Sequence, residues 1–100
     1  MKTRTVVFAP EAQEDLIGLY DWIAEAAHPN TALNYIERLE DYCRGFSVAS
    51  ERGHKRDDIR KGLRIVGFER RVTIAFAVTD AEVIILRLFY GGRNWEDILS

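Results

Sequence analysis

A chain of 100 residues, 47% hydrophobic and 30% charged, has the make-up of one globular domain, expected to span residues 1–100, and excludes a low-complexity, repetitive or disordered protein. No apolar run approaches the roughly 20 residues of a membrane span; with no signal-peptide core at the N-terminus and a lone Cys43, a reducing, cytoplasmic location is expected. The net charge of −2 is unevenly spread, with residues 1–50 at −4, residues 51–100 at +2 and the window Arg52–Arg71 at +5, a local basic surface suited to an acidic partner or simply a solvated loop.

Thr3–Ala9 (TRTVVFA) is short, apolar and β-branched, which predicts a strand. Pro10 ends it and pre-sets a helical turn, with Glu11, Glu14 and Asp15 where the helix dipole favours acids. Ala12, Leu16, Leu19, Tyr20, Ile23 and Ala27 then share one helical face, with Trp22 at its flank. His28-Pro29-Asn30 breaks the pattern; Ala32, Tyr35, Ile36, Leu39, Tyr42, Cys43 and Phe46 resume it. Two amphipathic helices joined so briefly pack antiparallel. SERGHKRDDIRKG, residues 50–62, is polar apart from Ile59 and reads as an exposed connector.

Strand signals fill most of the remainder. Leu63–Phe68 is one; Arg71–Thr79 is another, with Val72, Ile74, Phe76 and Val78 on one face and Thr73, Ala75 and Ala77 on the other. Thr79-Asp80-Ala81 turns into the stretch Ala81–Asn94, where Glu82, Ile84, Leu86, Leu88 and Tyr90 alternate with Val83, Ile85, Arg87 and Phe89. With both faces largely apolar, this strand belongs at the centre of a sheet and ends at Gly91-Gly92. Trp95–Leu99 adds a last helical turn.

The order β-α-α-β-β-β predicts an α+β, two-layer fold in which a helical hairpin covers one face of an antiparallel sheet. Ile74, Phe76, Val78, Ile84, Leu86 and Leu88 are expected under the helices. The other face would carry Arg64, Val66, Phe68, Thr73, Ala75, Ala77, Val83, Ile85, Arg87 and Phe89 as a shallow trough, a candidate protein-binding surface. Arg87, a guanidinium among hydrophobic groups, requires a carboxylate partner or a bound molecule.

Four segments, FAPEAQEDLIGLYDWIAE, HPNTALNYIERL, IRKGLRIVGFERRVTIAFAV and ILRLFYGGRNWEDIL, carry a resemblance over nearly the whole chain. The chain resembles the ParE branch of the RelE/ParE toxins of bacterial type II toxin–antitoxin pairs. That resemblance implies a small cytoplasmic toxin held inactive by a cognate antitoxin, whose tail wraps the helices and sheet in a heterodimer or heterotetramer. It also implies one of two activities sharing the fold: ParE-like members are associated with DNA gyrase inhibition, RelE-like members with cleavage of mRNA on the ribosome. Antitoxin contacts are expected at Val66, Phe68, Ala75, Val83, Ile85, Arg87 and Phe89. Target contacts are expected at Arg60, Lys61, Arg64, Arg87, Arg93 and Trp95.

A ribonuclease would need groups that activate a 2′-hydroxyl, protonate the leaving oxygen and stabilise the phosphorane. Arg64 and Arg87 fit the electrostatic role, and Tyr90 or His54 the proton transfer. Against this, Tyr90 is in phase with Leu86 and Leu88 and so points toward the helices, and His54 sits in the polar connector with Lys55 and Arg56. His28 reads as a helix-end residue and Cys43 as a core filler. Two His and one Cys, far apart, predict no metal site, and Gly91-Gly92 no phosphate loop, so no cofactor is expected. The expected function is a toxin that binds DNA gyrase, with a ribosome-dependent endoribonuclease as the alternative and a non-toxic antitoxin-binding module as the third reading.

Overall fold

The computed structural model describes residues 3–91 and 95–99, the side chains of Trp95 and Asp97 excepted. In chain order the elements are β1 (Thr5–Phe8), α1 (Pro10–Ala26), α2 (Pro29–Arg44), β2 (His54–Lys55), β3 (Leu63–Phe68), β4 (Val72–Val78), β5 (Glu82–Phe89) and α3 (Trp95–Leu99). One sheet runs in the order β1-β5-β4-β3-β2. It is antiparallel except at β1, which lies parallel to β5 with Thr5 opposite Glu82 and Phe8 opposite Ile85. The two-layer α+β architecture is therefore as the sequence predicts. The short β2 is an addition inside the polar connector, where His54 and Lys55 pair with Ile65 and Arg64.

Local causes are visible at the helix starts. Pro10 and Pro29 open α1 and α2, where a missing N–H costs nothing and a fixed φ is already helical. His28 caps α2 through Nδ1, which accepts the Asn30 N–H at 3.1 Å. After Arg44 a 3₁₀ turn, Gly45–Ser47, drives Phe46 into the core, where its ring meets Phe76 at 4.7 Å.

Which sheet face meets the helices departs from expectation. Between β4 and β5 the register shifts: Phe76 faces Ile85, Ala75 faces Arg87, and Leu86 has no partner. A single extra residue of this kind reverses the in-out alternation of everything after it. Val83 and Ile85 before the bulge, and Leu88 after it, therefore all pack in the helix-side core and are fully buried. Leu86 packs on the opposite face. On β3, Val66 and Phe68 lie opposite Ile74 and Val72 and so share their helix-facing side.

The far face has a cover of its own. Leu63, Ile65, Ala75 and Phe89 cluster with Leu99 of α3, and Ile59 and Leu86 close the edges. Ala75 is 0% and Phe89 2% exposed, so the trough expected there is sealed at its centre by the connector and the C-terminal turn. Among the described residues, no helix is long and apolar enough to cross a membrane.

Candidate functional site

Arg87 has the carboxylate it requires, and the chain itself provides it. β1 leaves the edge of β5 at Phe8, the last bond being Ala9 N–H to the Ile85 carbonyl at 2.9 Å. Pro10 turns the chain into α1, which leaves the β5 backbone beyond the bulge without a strand on its β1 side. Asp15 takes that place: its carboxylate accepts Arg87 Nε at 2.8 Å, Arg87 Nη2 at 3.2 Å and the Leu88 N–H at 2.9 Å. Asp15 is 8% exposed, and a buried carboxylate is tolerable only with such a full set of donors. The Asp15 hydrogen bond raises the Arg87 pKa against the opposing effect of burial, and the guanidinium lies 5.1 Å from the Phe89 ring centre. The need of Arg87 was legible in the sequence; Asp15 was read there as a dipole acid, although its spacing from Ala12 and Leu19 places it on the buried stripe.

The expected site residues do not converge. Arg60 and Arg87 share a cleft of about 300 Å³ with Glu11, Leu86, Ile98 and Leu99. Arg64 lies in a separate recess of about 190 Å³ with Arg4 and Lys55, its Nε donating to the Arg52 carbonyl at 2.9 Å. Tyr90 faces α1 as its phase predicts, stacking on Trp22 with centroids 5.4 Å apart. Its hydroxyl comes so close to Gly18 that a Cβ there would sit 2.7 Å away. Lys61 is exposed in the connector. Arg93 and the Trp95 side chain lie outside the described residues. Of the antitoxin-binding set, Val83, Ile85 and Ala75 are fully buried, Phe89 and Phe68 nearly so, and Val66 packs under the helices. These positions are buried: the bulge turns Val83 and Ile85 to the helix side, the β3–β4 register puts Val66 and Phe68 there, and α3 with the connector covers Ala75 and Phe89 on the far face.

The fold assembles two surfaces that sequence reasoning missed. Along the outside of the hairpin, Gln13, Leu16, Ile17, Tyr20, Ile36 and Glu40 line an apolar groove of about 370 Å³, with Ile17 64% and the nearby Leu33 49% exposed. Those two residues lie off the core stripes, which is the signal the sequence held. A second recess, about 390 Å³, lies between the hairpin and the β3–β4 turn, lined by Trp22, Ile23, Tyr35, Arg38, Glu69 and Arg71 among others. In that turn Glu69 (φ 48°) and Arg70 (φ 61°) are both left-handed without being glycine. Arg38 of α2 grips Glu69 through two bonds of 2.9 and 3.0 Å, and this holds the Glu69 carboxyl below its usual range.

Charge commitment differs among the arginines. Arg38, Arg44, Arg56 and Arg87 each meet a carboxylate. Arg4, Arg52 and Arg64 instead donate to neutral oxygens, those of Thr79 and Ser50, Ala49, and Arg52. Among the described residues, Arg52 and Arg64 of the basic window thus make no ion pair, although Glu51 lines the Arg64 recess.

Comparison with known proteins places this arrangement. None of the curated protein sequences matches the chain at a significant level. A solved structure described as a chromosomal ParDE TA system from P. aeruginosa superposes with a TM-score of 0.77 at 22% identity, covering 88% of this chain and 96% of that one, which is a likeness of fold. The family model for the ParE toxin of the type II toxin–antitoxin system parDE matches residues 6–95. That match extends from β1 to the start of α3, and the chain belongs to the ParE toxin family of type II toxin–antitoxin systems.

Proposed function

We propose that this ParE-family toxin arrests growth by binding DNA gyrase and is neutralised by a cognate antitoxin. The observation that favours binding over RNA cleavage is the separation of Arg64, Arg87 and Tyr90, which line three different recesses. Moreover, the Arg87 charge is already committed to Asp15. A phosphorane-stabilising set needs its cations within hydrogen-bond reach of one reacting group, whereas a toxin that poisons a larger enzyme by binding needs only a complementary surface. The cleft shared by Arg60 and Arg87, with Lys61 beside it and Arg93 and Trp95 following in sequence, is the proposed gyrase contact. The apolar groove along the hairpin supports the neutralisation reading, because an amphipathic tail laid between two helices buries such a surface.

Expression of the chain alone in cells distinguishes the readings. Growth arrest with loss of plasmid supercoiling and intact transcripts is the expected result. Truncated mRNA with normal supercoiling would overturn it in favour of the endoribonuclease, and unimpaired growth in favour of a non-toxic binding module.

A further inference from the structure

The recess between the hairpin and the β3–β4 turn combines features that nothing in the free chain explains. Tyr35 is 6% exposed, its ring held edge-on by Phe68 at 5.6 Å and overlain by the Arg38 guanidinium at 5.2 Å. Yet its hydroxyl has no hydrogen-bond partner among the described residues. A buried donor left unmade is costly, and native folds rarely retain one without a use. Around it the charge is positive: Glu69 is engaged by Arg38, and Arg71, on the same recess, has no ion pair with any described residue. The remaining wall is apolar, with Leu19 and Ile23 beside the indole of Trp22, which is 45% exposed and braced by Tyr90.

We propose that this recess anchors an apolar side chain and an adjacent carboxylate from the antitoxin, the carboxylate accepting from Tyr35 and Arg71 while the apolar group lies against Trp22. The assignment rests on the reading of this chain as an antitoxin-neutralised toxin. A carboxylate satisfies both unmatched donors at once, which a lysine or an amide nitrogen cannot do. Over the Tyr35 ring lies the Arg38 guanidinium, whose pair with Glu69 is half exposed and cheap to open. A flexible tail can thread a side chain past such a gate more readily than the preformed surface of a large enzyme can.

The test is calorimetric titration of the toxin with the antitoxin encoded beside it, using Tyr35→Phe and Arg71→Gln. Tyr35→Phe removes only the hydroxyl, so a purely structural role predicts unchanged affinity with an equal or higher unfolding temperature. The proposal predicts affinity weakened about tenfold or more for Tyr35→Phe, as expected for a hydrogen bond to a charged group, with the unfolding temperature again equal or higher. Arg71→Gln weakens binding in the same direction. In a double-mutant cycle, neutralising the antitoxin's anchoring Asp or Glu then adds little to the loss from Tyr35→Phe. Unchanged affinity of both variants, with tight binding by the unaltered toxin, overturns the anchor and leaves the neutralisation reading standing. No binding by the unaltered toxin overturns both. Variants that bind the antitoxin normally but no longer inhibit gyrase would assign the recess to the target and overturn the proposal.

Discussion

Asp15 fills two roles with one carboxylate, compensating Arg87 and accepting a β5 N–H that lost its strand neighbour. Asp15→Ala strands both groups, and we expect a loss of about 2–4 kcal/mol in chemical denaturation, toward the lower side for a buried pair because Arg87 keeps some solvent. Asp15→Asn retains an acceptor for the Leu88 N–H, so its loss should be smaller. A second residue-scale prediction concerns pH. Burial pushes the Cys43 thiol from 9.0 up to about 12. A group whose folded pKa is raised stabilises fully below its unfolded pKa, and that contribution is lost as pH rises. The Cys43 contribution to the unfolding free energy should fall by about 1.4 kcal/mol per pH unit above roughly pH 9, and Cys43→Ala should flatten that limb between about pH 9 and 10, before tyrosines titrate. The partner of Arg87 was not legible in the sequence because 72 positions separate the two; only an acid on a buried helical stripe and an arginine in an apolar strand hinted at it.

At the scale of elements, legibility tracked how strongly composition marks each boundary. β3 at Leu63–Phe68 and the helix starts at Pro10 and Pro29 read directly, because alternation and proline leave unambiguous marks. The bulge in β5 left none: Leu86 is an ordinary strand residue, and no glycine or proline flags the extra position. The face assignment failed there, and with it the antitoxin set at Val83 and Ile85. β2 escaped notice because two polar residues show no periodicity. Ile85→Glu now predicts an unfolded chain, since it buries a charge in the helix-side core; a folded, cooperative Ile85→Glu protein by circular dichroism and thermal melting would contradict the bulge. The β3–β4 turn offers the opposite sign. Arg70→Gly relieves a left-handed backbone and should raise stability by about 0.5–1 kcal/mol, measurable as a higher denaturant midpoint at unchanged slope.

Across the whole molecule, a large core lies between hairpin and sheet and a small one lies under α3 and the connector. The larger one carries the stability, so Phe76→Ala should cost roughly 3–5 kcal/mol, a large fraction of the margin of a small domain. The smaller one seals the face that had been expected to receive a partner. Among the described residues, the outside of the hairpin exposes Ile17 and Leu33 beside an apolar groove, and the β2–β3 side carries Arg52 and Arg64 without ion pairs. Under the proposed function the hairpin groove would take a neutralising tail and the Arg60–Arg87 cleft the larger target. Supercoiling of relaxed plasmid by purified DNA gyrase, with and without this chain, tests that account most directly. Inhibition that rises with toxin concentration and is relieved by the antitoxin is the predicted result; full gyrase activity at a large molar excess of folded toxin would contradict it.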